Sequence, residues 1–312
     1  MQLDRTAIVI ALRTSQELLD LSLVVIREFA SRFILFALIG IIPFAILNAI
    51  LLEPLRNYDQ LSLLSSSTTS NQWFRFQYLW WMALLVILEA PLALLGLTLA
   101  LGNTVFLSDY SRKNWLNPIW NQSGAILWIL GFLRGAIPAL LVTAYMALNS
   151  ELHRSFTMIG WLSIAALLML LFRGINPFAP EILALEQTKL NADPHRPNAM
   201  TYSKRTQWLR KAQGDAAGIG VTAILISVAA TLMLCLCAAF LLGVLIGTWK
   251  WGWWMDLIIY PIALWITAVW ATVLRFLTYM NTRIRAEGWD LELKLRAEAQ
   301  RLSQIQGAPN RG

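Results

Sequence analysis

The chain has 312 residues, 57% of them hydrophobic and only 14% charged, with a mean hydropathy of +0.57 and a formal net charge of +7. Ordinary soluble domains carry about 25% charged residues, so this chain has more apolar surface than a water-soluble core can hide. A disordered, collagen-like or disulfide-rich secreted protein is excluded, and the expected class is an all-α, polytopic helical membrane protein.

Residues 1–32 form a charged cytoplasmic N-terminal segment. Asp4, Arg5, Arg13, Glu17, Asp20, Arg27 and Glu28 leave no compact apolar region ending in a small-residue cleavage site, so no cleavable signal peptide is expected. Within the segment, Thr14 and Glu17 match a capping box. Polar Glu17, Asp20, Arg27, Glu28 and Ser31 recur at helical spacing beside Leu18, Leu19, Leu21, Val25, Ile26 and Phe29. The pattern reads as an amphipathic helix lying in the interface; the alternative is a longer first transmembrane helix with a polar start.

Apolar stretches then fall at about 33–52, 79–101, 124–147, 156–173, 219–248 and 255–279. Each approaches the roughly 20 residues that cross a hydrocarbon layer of about 30 Å, so about six transmembrane helices are expected over 33–279. With the N-terminus inside, the inner segments hold twenty Lys and Arg and the outer ones four, with Arg134 left within a span. By the positive-inside rule both termini are cytoplasmic. Trp73, Trp80, Trp81, Trp161, Trp249, Trp251, Trp253 and Trp254 all fall at the outer ends, the interfacial position an amphipathic indole prefers.

Two ionisable residues fall inside spans. Glu89 in the second and Arg134 in the third both reach the midplane region at about 1.5 Å per residue and can meet as an intramembrane ion pair. Gly131 and Gly135 allow close approach of a neighbouring helix around Arg134, and Pro91 and Pro138 each remove a helical hydrogen bond nearby. Three readings stand: a functional site of the kind a transporter builds, a structural pair that sets helix register, or a protonated, unpaired Glu89. Pro43 and Pro261 interrupt two further spans.

The longest polar stretch, 174–217, contains Pro180-Glu181, a helix start. It ends on Lys204, Arg205, Arg210 and Lys211, a juxtamembrane basic group expected to face anionic lipid at about 1 kcal/mol per charge, or alternatively to form a docking surface. Cys235 and Cys237 point about 200° apart on a helix, and His153 and His195 sit on separate polar loops, so no metal site is expected. There is no phosphate loop, nucleophile elbow or zinc-binding H-E-x-x-H helix. No catalytic residue and no cofactor are expected.

The tail, 280–312, reads as a cytoplasmic amphipathic helix: Ile284, Leu291, Leu295, Ala299 and Leu302 form one stripe, and Asp290 with Lys294 and Glu292 with Arg296 are i,i+4 pairs. Arg283, Arg285, Glu287, Gly288 and Trp289 form its candidate interaction helix. The stripe needs a partner, either this chain's own loop or N-terminal helix, or a second protein.

The two ends carry a resemblance. Ala11-Leu12-Arg13-Thr14-Ser15-Gln16-Glu17-Leu18-Leu19-Asp20-Leu21, leading to a span with Pro43, and Tyr279-Met280-Asn281-Thr282-Arg283-Ile284-Arg285-Ala286-Glu287-Gly288-Trp289-Asp290-Leu291-Glu292 resemble bacterial polytopic proteins related to the membrane domain of glycerophosphoryl diester phosphodiesterases. Asn281 stands where that family has an acidic residue. The resemblance implies a helical membrane domain without the catalytic part: His153-Arg154-Ser155 departs at the glycine from the catalytic His-Arg-Gly of such enzymes and sits on a short outer loop.

The expected function is that of a non-enzymatic bacterial inner-membrane protein, a membrane-embedded component or accessory of a larger system. The alternative is a transporter or lipid-handling permease using Glu89 and Arg134. Expected partners are membrane lipids and a protein at the cytoplasmic face. Nucleic acid is not expected, since sidedness already accounts for the positive charge.

Overall fold

The computed structural model describes residues 11–53, 68–105, 117–136, 164, 176–190, 200–212, 214, 216–247, 249, 252 and 254–289, and all regular structure among them is helical. Helix α1, Ser15–Leu51, opens on the expected capping box: the Glu17 N–H donates to the Thr14 hydroxyl, and the Thr14 N–H donates to the Glu17 carboxylate at 3.1 Å. The helix has 37 residues. At about 1.5 Å per residue that exceeds what the bilayer core requires, so part of it lies outside the hydrocarbon. Phe29, with φ −108° and ψ 17°, breaks the helical backbone, close to the boundary expected between the interfacial and spanning parts.

Helix α2, Thr68–Ala93, and helix α3, Leu95–Val105, are bent by 45° across Leu94. Pro91, which cannot donate to the carbonyl one turn before it, lies just ahead of this bend. The short helices α4, Asn117–Asn121, and α5, Ser123–Ile126, lead into a π-helical segment, Leu127–Ala136. Helix α6, Ala179–Ala184, starts at Pro180 and Glu181 as expected, and α7 spans Tyr202–Lys211. Helix α8, Ala216–Ile246, precedes a π-helical turn, Met255–Ile259, which continues as α9, Tyr260–Glu287.

Of the six expected spans, the described residues show three to four. Among the described residues three helices, Ser15–Leu51, Gly218–Ile246 and Met255–Glu287, are long and apolar enough to cross a membrane, and the bent pair Gln77–Ala93 with Leu95–Val105 makes a fourth if read as one span. They coincide with the first, second, fifth and sixth expected spans. Of the third, 124–147, the description ends at Ala136 with a π-helical segment in place of a long α-helix, and the fourth, 156–173, lies outside the described residues apart from Ile164. Hydropathy reports apolar length but not whether the backbone stays α-helical along it.

Helix α9 is the centre of the bundle, packed against α8, α1, α2 and α3. Its threonine hydroxyls are satisfied within the protein. The hydroxyls of Thr267, Thr272, Thr278 and Thr282 each donate to the carbonyl four residues earlier, and Thr267 also meets Thr231 of α8 at 3.2 Å. The Tyr78 hydroxyl donates to the Asp256 carbonyl and the Tyr260 hydroxyl to that of Leu79, tying the middle of α2 to the start of α9 beside Trp80, Trp81 and Trp254. The outward faces of α1 and α8 are continuous apolar surfaces, including Ile34, Leu38 and Ile42 on one and Leu225, Leu232 and Leu236 on the other. Apolar faces of this length suit lipid contact.

The segment before α1 and the C-terminal part of α9 meet each other. The Arg13 N–H donates to Asn281 Oδ1 at 3.0 Å and Asn281 Nδ2 donates to the Arg13 carbonyl at 3.1 Å, so one side-chain amide clamps the backbone just before α1. Further along, the Trp270 indole donates to the Ser22 hydroxyl at 3.0 Å. Asn281→Leu removes both partners of the Arg13 backbone, an expected loss of about 1–3 kcal/mol. Limited proteolysis at Arg13 is expected to accelerate in that variant, and unchanged cleavage would show that the clamp contributes nothing.

Candidate functional site

Three groups of polar side chains are built into the fold. The largest lies where α7 and the segment after α6 pack on the C-terminal part of α9. On α7 the residues Thr201, Arg205 and Leu209 follow at intervals of four, one stripe of a helix, and all three are buried. Arg205, 5% exposed, reaches the Glu186 carboxylate through Nε and Nη2, both at 2.5 Å, a two-point pairing matched to the planar guanidinium. Nη2 also donates to Glu287 at 2.5 Å.

Glu287 in turn accepts from Arg283 Nε one turn earlier at 2.8 Å, and Arg283 lies 3.7 Å from Glu186. The Tyr279 hydroxyl donates to Glu186 at 2.5 Å. Two tryptophans cover the cations: Arg205 sits 4.7 Å over the Trp208 ring and Arg283 4.9 Å over that of Trp289. Burial by itself pulls the Arg205 guanidinium down, but the hydrogen bonds and charges of Glu186 and Glu287 outweigh it and hold the group above its ordinary range. This is a closed network joining three chain segments.

The Glu181 carboxylate, fully buried, accepts from Arg275 Nε at 2.7 Å. Its second oxygen and Arg275 Nη2 are buried without a hydrogen-bond partner among the described residues.

This arrangement corrects the reading of Arg205 as a lipid-facing residue. Lys204, Arg210 and Lys211 are exposed, whereas Arg205 points into the protein. Adjacent helical residues differ by about 100° in direction, so a sequence cluster that includes both Lys204 and Arg205 cannot present one face. The tail residues divide in the same way. Arg283 and Glu287 are consumed in the network, and Trp289 is buried on the core. Arg285 is exposed, and Gly288 ends α9 in the left-handed region at φ 66°, with the amide of this cap bonded to the Ile284 carbonyl. The expected continuation of a helix through Gly288 is thereby corrected as far as Trp289, and the remainder of the stripe lies outside the described residues.

The third group is Glu89 with Asn48. Glu89 is 5% exposed, Asn48 wholly buried, and Asn48 Nδ2 donates to Glu89 Oε2 at 2.8 Å. Asn48 is less than one turn from the end of α1, so the Glu89 carboxyl sits at the level of that turn. The side chain of Arg134, its expected partner, lies outside the described residues, although its backbone belongs to the π-helical segment packed against α2. Asn48 has no place in the sequence reading. Its signal was there: a lone amide in the apolar run Phe44-Ala45-Ile46-Leu47-Asn48-Ala49-Ile50-Leu51. Glu186 was missed, and Glu181 was read only as part of a helix start, for the opposite reason, because carboxylates in a polar stretch look solvated.

Among the described residues no group of three or more His, Cys, Asp or Glu is arranged to hold a metal ion. No family model, curated protein or solved structure matches this chain.

Proposed function

We propose that this chain is a non-enzymatic integral membrane protein of the bacterial inner membrane, with both termini cytoplasmic, that serves as a membrane-embedded component or accessory of a larger system. The observation that carries this reading is the closed network of Glu186, Arg205, Tyr279, Arg283 and Glu287. It holds α7 rigidly on the end of α9 while leaving Lys204, Arg210, Lys211 and Arg285 pointing outward. A preformed basic surface beside apolar helix ends suits anionic headgroups and an acidic protein partner together. Six spans remain part of this proposal, with the third and fourth supplied by 124–147 and 156–173.

The test is mass spectrometry of the protein purified from native membranes in mild detergent. The expected result is a stoichiometric protein partner that is lost when Lys204, Arg210, Lys211 and Arg285 are changed to Gln, which leaves the network untouched. A lone protein carrying one enriched small ligand would overturn the accessory reading. A second reading, a transporter or lipid-handling permease, is favoured by one feature: a carboxyl and an amide buried together near the bend between α2 and α3.

A further inference from the structure

The amide of Asn48 gives one N–H to Glu89, and its own oxygen, Oδ1, is buried with no hydrogen-bond partner among the described residues. A buried acceptor left empty costs about 1–3 kcal/mol, and an ionised carboxylate in an apolar site costs more. Exchanging the amide oxygen and nitrogen, which are nearly equal in size, does not remove the difficulty, because Oδ1 then faces Oε2, oxygen against oxygen. A proton on the carboxyl relieves both orientations. In the first, the acid O–H can turn to Oδ1 while the amide N–H bonds Oε2; in the second, the proton lies between Oε2 and Oδ1.

The surroundings agree. Among the elements packed closely against α2, helix α3 contains no ionisable residue. On α9, Tyr260 bonds the Leu79 carbonyl, about ten residues before Glu89 on α2, Arg275 is bound to Glu181, Tyr279, Arg283 and Glu287 belong to the network, and Arg285 is exposed. The charged residues of α1 lie in its first half, and Glu53 follows its end. Arg134 belongs to the π-helical segment packed against α2, and its side chain lies outside the described residues.

We propose that Glu89 and Asn48 form a proton-binding site buried in the membrane region, with Glu89 held as the neutral acid and paired to the Asn48 amide rather than to Arg134. This inference holds under either functional reading and does not depend on a protein partner being found.

The experiment is an infrared spectrum of the full-length protein in lipid, wild type against Glu89→Gln. The expected result is the carbonyl stretch of a protonated carboxylic acid, present in the wild type, lost in Glu89→Gln and retained in Arg134→Gln. If the wild type lacks the acid band, Glu89 is a carboxylate and the proposal is overturned; a band that appears only in Arg134→Gln would overturn it in favour of the ion pair. Should Glu89→Gln fail to fold, an apolar carbodiimide decides on the wild type alone. The acid O–H adds across a C=N bond of the reagent, and an O-to-N acyl shift leaves a stable N-acylurea with no leaving group. Modification found at Glu89 by peptide mass supports the neutral acid, and a Glu89 peptide left unmodified overturns it.

Discussion

Gly40→Ala is expected to destabilise the folded protein by about 1–3 kcal/mol or more, the range for overpacking a tight contact. A Cβ built on Gly40 would overlap the carbonyl oxygen of Ala93, at the end of α2. That atom is backbone and cannot rotate aside, so α1 and α2 must separate. Separation would also pull Asn48 from Glu89, since both pairs lie in the same interface. A contrasting result is expected at Gly220 in α8, where a Cβ meets nothing within 4 Å: Gly220→Ala should be neutral, or stabilising by up to about 1 kcal/mol through helix propensity. Thermal unfolding in detergent, followed by the loss of monodisperse protein on heating, checks both. Equal shifts for the two variants would remove the argument for a close α1–α2 contact.

Arg205→Met is expected to cost about 3–5 kcal/mol, the range for removing one partner of a buried ion pair. The methionine fills much of the same space, so the loss is electrical: Glu186 and Glu287 are left half-buried, with Arg283 as their one remaining cation among the described residues. Adding Glu186→Gln should recover part of the loss, because the uncompensated carboxylate is then gone. A lipid-facing Arg205 would behave otherwise, with less than about 1 kcal/mol lost and no recovery in the double variant. Lys204→Met, on the neighbouring exposed position, is the control and should leave the unfolding temperature nearly unchanged.

These two positions also mark what can be read along the chain. The Thr14 capping box was legible because its partners are three residues apart. The bend beyond Pro91 was legible because proline lacks the donor a helix needs wherever it occurs. Arg205 was half legible: its place in the buried stripe Thr201, Arg205, Leu209 follows from helical spacing, but an arginine in a basic cluster reads first as a surface residue. Gly288 is a similar case. A glycine after Glu287 is a helix stop, yet the apolar stripe that continues beyond it invited a longer helix.

The helical architecture and the apolar stretches long enough to cross a membrane were determined by the sequence alone, because hydropathy sums over some 20 neighbouring residues. Which apolar stretches form long α-helices was decided by tertiary structure, where a π-helical segment stands at 127–136 and a 45° bend divides the second span. So were the partners of the buried charges. Glu89 meets Asn48 across 41 residues, and Arg205 meets Glu287 across 82. A buried polar group takes whichever partner the packing brings within about 3 Å, and no local pattern in the chain encodes which distant residue that is.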